Sequence, residues 1–240
     1  MSRLKPFFSY FGSKYRIAPK YPDPRHRLVV EPFAGAAGYA ATHPHHDVLL
    51  IDADERIAGA WSYLIGATPD EVRRLPLWDG WESVDDLTNI PQEARWLIGY
   101  WLNKGATGTK KPSAWMRSGK YPDQFWGEAI RERIASQVDA IKHWRVIHGD
   151  YTQAPDVAAT WFIDPPYEVA GTYRERPTDF AALGRWCQER EGQVMVCENV
   201  GADWLPFRPF IDAKATSGGA RAGVSREAIW TKDDEGVLFA

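Results

Sequence analysis

Val29-Val30-Glu31-Pro32-Phe33-Ala34-Gly35-Ala36-Ala37-Gly38 passes within ten residues from a β-branched apolar run into a turn made largely of small residues. The pattern reads as a buried strand, a tight turn and then a helix. Small residues at such a turn let the backbone approach a ligand closely, at the carboxyl end of a strand where open α/β sheets bind ligands. A tight connection with no ligand fits the same residues. The spacing does not follow G-x-G-x-x-G, which counts against a nicotinamide or flavin enzyme.

Working outward, short apolar runs recur at Leu28–Val30, Val48–Ile51, Val146–Ile147, Trp161–Ile163 and Val194–Val196, each bounded by Gly, Pro, Asp or His. Runs of this kind suit parallel strands buried on both faces. Asp54–Ile65 and Thr178–Glu189 read as crossover helices, the second with Thr178 as its N-cap and Phe180, Leu183 and Trp186 three residues apart. Alternating strands and helices predict an α/β fold with a doubly wound sheet. The rhythm stops between residues 70 and 143, which hold six tryptophans, from Trp78 to Trp126, and several prolines. Pro91–Asn103 and Gln124–Ile141 read as helices there, so 70–143 is expected to be a mainly helical insert between 1–69 and 144–240.

Composition is that of a globular protein without a membrane span or a signal peptide, which places it in the cytoplasm. Cys187 and Cys197 are too few for a disulfide framework or a multi-cysteine zinc site, and no metal is expected. The net charge of −3 hides an uneven distribution. Residues 1–30 carry seven Lys/Arg and one Asp, and residues 104–145 carry nine Lys/Arg and four Asp/Glu. Two basic segments on an acidic body would suit a polyanion if they meet in space, and otherwise are ordinary fluctuation.

Two further places carry chemistry. Ile51-Asp52-Ala53-Asp54 puts acids at the tip of the second strand, where one can accept hydrogen bonds from ribose hydroxyls and the other cap the next helix. Trp161-Phe162-Ile163-Asp164-Pro165-Pro166-Tyr167 delivers a carboxylate to the end of a buried strand. The prolines stiffen the chain and remove backbone donors, leaving the Asp164 carboxylate and the Pro165 carbonyl as fixed acceptors beside an aromatic ring. Those parts suit an amino group on a flat ring, held by its hydrogens and stacked on Tyr167. A proline-rich turn with a structural tyrosine is the plainer reading.

Taken in order, these segments resemble the Dam-type, α-group DNA adenine N6-methyltransferases. Pro6–Lys14 resembles the family's aromatic-G-G-K segment with Ser13 at the second glycine. Glu31–Gly38 resembles E-P-F-x-G-x-G-S with Ala37 at a glycine position, and Asp52 matches the ribose-binding acid. Gly149-Asp150-Tyr151 resembles the adenine-contacting motif, and Asp164–Tyr167 is D-P-P-Y. Val194–Asn199 and Ser225–Trp230 look like the later core strands.

The resemblance implies the class I methyltransferase fold with an inserted target-recognition subdomain. It implies S-adenosyl-L-methionine as cofactor, S-adenosyl-L-homocysteine as product and double-stranded DNA as partner. Tyr10, Gly12, Lys14, Glu31, Pro32, Phe33, Ala34, Gly35, Asp52, Asp150, Tyr151 and Asp164 would hold the cofactor. Asp164, Pro165, Pro166 and Tyr167 would receive a flipped adenine. The compact size suits a stand-alone phage or bacterial modification enzyme. The same chemistry on cytosine N4 or another amine, and a non-catalytic protein that keeps the fold to bind cofactor or DNA, are the alternatives.

For DNA the expected contacts are Lys104, Lys110, Lys111, Arg117 and Lys120, interleaved with Trp115 and Tyr121, and Arg221 in a glycine-rich stretch. Residues 104–120 hold those five cations and no Asp or Glu. His43, His45 and His46 read as surface residues of a turn.

Overall fold

The structure is a computed structural model that describes residues 3–103, 110–168, 177, 179–214 and 224–232. Its strands are β1 (Leu28–Glu31), β2 (Asp47–Asp52), β3 (Arg145–His148), β4 (Ala159–Ile163), β5 (Gly192–Asn199), β6 (Arg208–Lys214) and β7 (Val224–Lys232). They form one sheet in the order β3-β2-β1-β4-β5-β7-β6. Neighbours from β3 to β5 are parallel, and β7 runs antiparallel to both β5 and β6. The fold is α/β and Rossmann-like. All five apolar runs read as strands are strands.

Side chains alternate between two buried faces, which is why those runs are continuously apolar. Val29, Val48, Leu50, Phe162, Met195 and Cys197 join one apolar cluster. Val30, Leu49, Ile51, Trp161, Ile163, Val194 and Val196 join the other. Helix α1 (Glu55–Gly66) turns Ile57, Ala60, Trp61 and Leu64 to the first cluster. Between β4 and β5 the chain forms a helix over Phe180–Glu189, which places Leu183 and Cys187 in the second.

Among the described residues of 70–143 the regular elements are helices and 3₁₀ turns joined by long irregular stretches, with α2 (Pro69–Arg73), α3 (Gln92–Gly99), α4 (Ala114–Arg117) and α5 (Glu128–Ala135); the Phe180–Glu189 helix is α6. Leu97, Ile98, Trp101, Trp126, Ile130 and Ile134 share one apolar cluster with Val29 and Leu50, so this region covers the first face of the sheet. The Trp101 indole donates to the Phe7 carbonyl at 2.9 Å and the Trp126 indole to that of Pro76 at 2.8 Å. Five of the six tryptophans are buried or half-buried, and Trp115 alone is exposed, at 61%.

Several local expectations change. The turn after β1 does not open an α-helix; it leads to a short 3₁₀ turn at Ala40–Thr42. Gly35 and Ala37 both stand at φ +46, which interrupts helical geometry. The expected Pro91–Asn103 helix is limited to α3. The expected Gln124–Ile141 helix divides into α5 and a 3₁₀ turn at Val138–Ile141. Thr178 lies outside the described residues, and Asp179 caps α6 by accepting from the Ala182 amide at 2.8 Å. Strand β6 was not anticipated because Pro209 interrupts its pattern. As an edge strand with an irregular register between Pro209 and Ile211, it tolerates the missing donor. Of the turn histidines only His45 is exposed; His43 is half-buried, and burial lowers its pKa to about 4. No helix among the described residues is long and apolar enough to cross a membrane.

Strand β1 leads to β2 on one side and its other neighbour, β4, leads to β5 on the other, so the direction of winding reverses between β1 and β4. In open sheets that reversal leaves a crevice at the carboxyl ends of the strands.

Candidate active site

A cleft of about 950 Å³, counted out to its solvent mouth, occupies that crevice. The turn after β1 forms its floor, the tips of β2 and β4 its sides, and the loop at residues 10–14 its rim. Tyr10, Gly12, Lys14, Glu31, Pro32, Phe33, Ala34, Gly35, Asp52, Asp150, Tyr151 and Asp164 all line it, together with Pro166. Residues from the N-terminal loop to the tip of β4 are not neighbours in sequence, yet they are brought to one surface.

The floor is held by backbone geometry. The Ala34 amide donates to the Ile51 carbonyl at 3.0 Å, and the Trp61 indole donates to the Gly35 carbonyl at 2.8 Å. A side chain at Gly35 would meet the Tyr10 ring at 3.2 Å, and one at Gly38 would lie 2.6 Å from the Tyr15 amide nitrogen. The two departures from the glycine pattern have different consequences. Ser13 has φ −51, open to any residue, whereas Ala37 has φ +46 and is strained there.

Asp52 accepts from the amides of Gly35 and Asp54, each at 2.9 Å. Asp54 instead caps α1 through the Arg56 amide at 2.9 Å and pairs with the Arg56 guanidinium at 3.1 Å. The two acids thus differ in their local bonds, Asp52 pinning the turn and Asp54 capping α1, and both line the cleft. Asp150 caps a short turn through the Thr152 amide at 2.9 Å, and the Tyr151 ring lies 5.5 Å from that of Phe33.

At the tip of β4, Asp164 is 19% exposed and its carboxylate pairs with the buried ammonium of Lys14, at 2.8 and 3.0 Å. Oδ2 accepts a hydrogen bond from the ammonium at 3.0 Å, and Oδ1, itself buried, lies 2.8 Å from the same nitrogen. Burial opposes the Lys14 charge, but Asp164 and then Glu227 outweigh it, so Lys14 is held protonated. Burial raises the Asp164 pKa to about 6 against the lowering effect of Lys14. Burial also raises Glu31 to about 8 and Asp52 to about 6.

Pro165 and Tyr167 are buried and do not line the cleft. Tyr167 is 8% exposed, its hydroxyl donates to Glu227 at 2.5 Å, and the Lys14 ammonium sits 4.7 Å from its ring centroid. An open stacking platform, expected from its place in the sequence, is not what the ring presents. The reason is a partner from β7 that local sequence could not announce. Glu227 and Glu198, buried acids in β7 and β5, had no assigned role; a charge within an apolar strand run is the signal that marks them.

Of the expected DNA contacts, Lys111, Arg117 and Lys120 are exposed around Trp115 and Tyr121, whose rings lie 5.7 Å apart. Lys110 is paired with Asp85 at 2.8 Å, a partner that sequence distance concealed. Lys104 and Arg221 lie outside the described residues.

Five carboxyl side chains, Glu31, Asp52, Asp54, Asp150 and Asp164, line the cleft, and Lys14 is the sole cation among the described lining residues. Such a site repels a polyphosphate and favours a ligand that is neutral or positively charged. A scan against protein-family models finds no match to the chain, and a search of curated proteins finds none.

Proposed function

We propose that the protein is an S-adenosylmethionine-dependent DNA methyltransferase with the class I methyltransferase fold, acting on the exocyclic amine of an extruded adenine. The observation that carries the reading is the acidic cleft with Asp164 at its edge. Three carboxyls whose pKa burial raises share one crevice with a single lysine. A ligand bearing positive charge would stabilise their ionised forms.

The cofactor fits the chemistry of the residues present. Asp52 has lone pairs left for ribose hydroxyls, and Asp150 and Tyr151 would hold the adenine. The Phe33–Gly35 turn, with no side chain at Gly35, admits close approach, and Tyr10, Gly12 and Lys14 would hold the methionine end. When bound, the cofactor supplies a methyl group on a positively charged sulfur.

The Asp164 carboxylate, at the edge of the cleft, suits an N–H of the target amine, whose lone pair is otherwise delocalised into the ring. Accepting that hydrogen bond favours the pyramidal nitrogen of the transition state, and the nitrogen must lose one proton as it gains the methyl. A carboxylate with a pKa near 6 is ionised at neutral pH and basic enough to take part in that transfer. The exposed Trp115–Tyr121 pair with Lys111, Arg117 and Lys120 supports a nucleic-acid surface on the insert.

The deciding experiment is nucleoside mass analysis of duplex DNA incubated with the protein and labelled cofactor. The reading requires N6-methyladenine. Methylcytosine would move the reaction to the other base, and an absence of labelled nucleoside in the presence of cofactor binding would leave a non-catalytic binding protein.

A further inference from the structure

We propose that Glu227 is a positioning residue for the Asp164–Tyr167 segment, fixing Tyr167 so that the Asp164 carboxylate is held at the cleft beside Lys14. The inference rests on the methyltransferase reading for its kinetic consequences, but the geometry beneath it does not.

Pro165 and Pro166 provide no backbone N–H, so this part of the chain after β4 cannot be tied down by a backbone ladder. It is pinned by side chains at its ends instead. At the first end Lys14 holds Asp164. At the other, the Tyr167 hydroxyl donates to Glu227 Oε2 at 2.5 Å, and the next amide, that of Glu168, donates to Glu198 Oε1 at 2.9 Å. Glu227 is itself oriented, because the Ser225 hydroxyl donates to its Oε1 at 2.7 Å. Its other oxygen lies 4.0 Å from the Lys14 ammonium. One buried carboxylate on β7 thereby touches the tyrosine directly and shares the lysine with Asp164.

Apolar packing could bury the Tyr167 ring at lower electrostatic cost, since buried ionic groups seldom add net stability. It would not fix the position of the hydroxyl end. With two stiff residues between Asp164 and Tyr167, displacement at the tyrosine is transmitted to the carboxylate. Removal of a single interaction of this kind is expected to change turnover more than affinity for cofactor.

The charged and titratable groups facing Asp164 are Lys14 from the N-terminal loop, Glu227 on β7, Glu198 on β5, Glu31 on β1, and Tyr21, Tyr167 and Cys197. Lys14 lowers the Asp164 pKa, and Glu227 and Glu198 raise it. Replacing Glu227 by a neutral isostere should therefore make Asp164 more acidic.

The test compares Glu227→Gln, Glu227→Leu, Tyr167→Phe and the Leu/Phe double variant with the wild type. Glu227→Gln keeps an acceptor for the tyrosine, so turnover at pH 7 should stay within about threefold while the acid limb of the pH profile moves to lower pH. Glu227→Leu and Tyr167→Phe should each lose about tenfold or more in turnover with cofactor affinity held. The double variant should be little worse than either, because the two changes break one interaction. NMR titration of the Asp164 carboxyl in the wild type and Glu227→Gln reads the charge coupling without any DNA substrate.

If the wild type methylates DNA but Tyr167→Phe and Glu227→Leu turn over normally, or their losses multiply, the positioning role is overturned. An unchanged Asp164 titration in Glu227→Gln overturns the coupling even if Glu227→Leu fails to fold. A wild type that transfers no methyl to DNA counts against the enzyme reading alone, with the NMR comparison still deciding this one.

Discussion

The cleft and the tip of the insert are both charged, yet they are built in opposite ways. In the cleft, Lys14 is buried and Asp52 and Asp164 are half-buried, and each is held by a partner distant in the chain, Asp164 by Lys14 and Asp52 by the Gly35 amide. At the tip, Lys111, Arg117 and Lys120 stand in solvent on short or irregular elements around Trp115 and Tyr121. The difference teaches which properties each region can confer. Buried, fixed groups shift their pKa values and orient a reacting atom, whereas exposed cations act through screened charge and contribute little geometry.

The largest effect expected from this contrast is at Asp164. Asp164→Ala should reduce methyl transfer by about 10³-fold, the scale of losing a fixed polar contact to a developing charge, with folding and DNA binding retained. Single-turnover rates on duplex DNA check it. A variant within a few-fold of wild type would show that the buried carboxylate is structural and that the cleft has no stronger claim than the tip.

Asp52→Ala should come next. Losing hydrogen bonds to ribose should weaken cofactor binding by about 10- to 100-fold, with a smaller effect on turnover at saturating cofactor. Thermal stability should also fall, because the Gly35 and Asp54 amides lose their acceptor. Calorimetric titration of cofactor separates the terms. Unchanged affinity with reduced turnover would remove Asp52 from the binding site.

Protonation gives a third, graded test. The Asp164 pKa is raised by burial to about 6, and the proposed chemistry uses its ionised form. Turnover should therefore be flat above that value and drop about tenfold per pH unit well below it. An acid limb near the ordinary Asp value would mean that the carboxylate is better solvated than its surroundings indicate. DNA binding through the exposed tip should lack this limb.

The smallest effect belongs to the tip. Lys111→Ala with Arg117→Ala should flatten the salt dependence of DNA binding by about 1.8 in slope, from roughly 0.9 per phosphate contact, with cofactor affinity unaltered. Lys110→Ala should change the slope less, since Asp85 already engages that ammonium. Binding measured across a salt series on two unrelated duplexes checks both the slope and its independence of sequence. Equal slopes in wild type and double variant would mean that this face does not meet DNA.

The sequence by itself determined the α/β fold, the parallel strands and the residues that line the cleft. Burial on both faces demands continuous apolar runs, and each run ends in the residues that the strand tip presents. Gly35, Asp52 and Asp164 were legible for that reason: short-range pattern fixes which strand end they occupy, and sheet topology then gathers those ends. Only the tertiary structure decided that Asp54 caps α1 while Asp52 pins the Gly35 turn, that Ala37 takes a left-handed conformation, and that Lys110 meets Asp85. The same is true of Tyr167, whose hydroxyl turns to Glu227, 60 residues away on an antiparallel strand. Hydrogen bonds and ion pairs depend on distances of a few ångströms between elements that local pattern does not relate. A strand's identity is written in its own residues, but the partner that arrives beside its tip is set by the packing of the whole sheet.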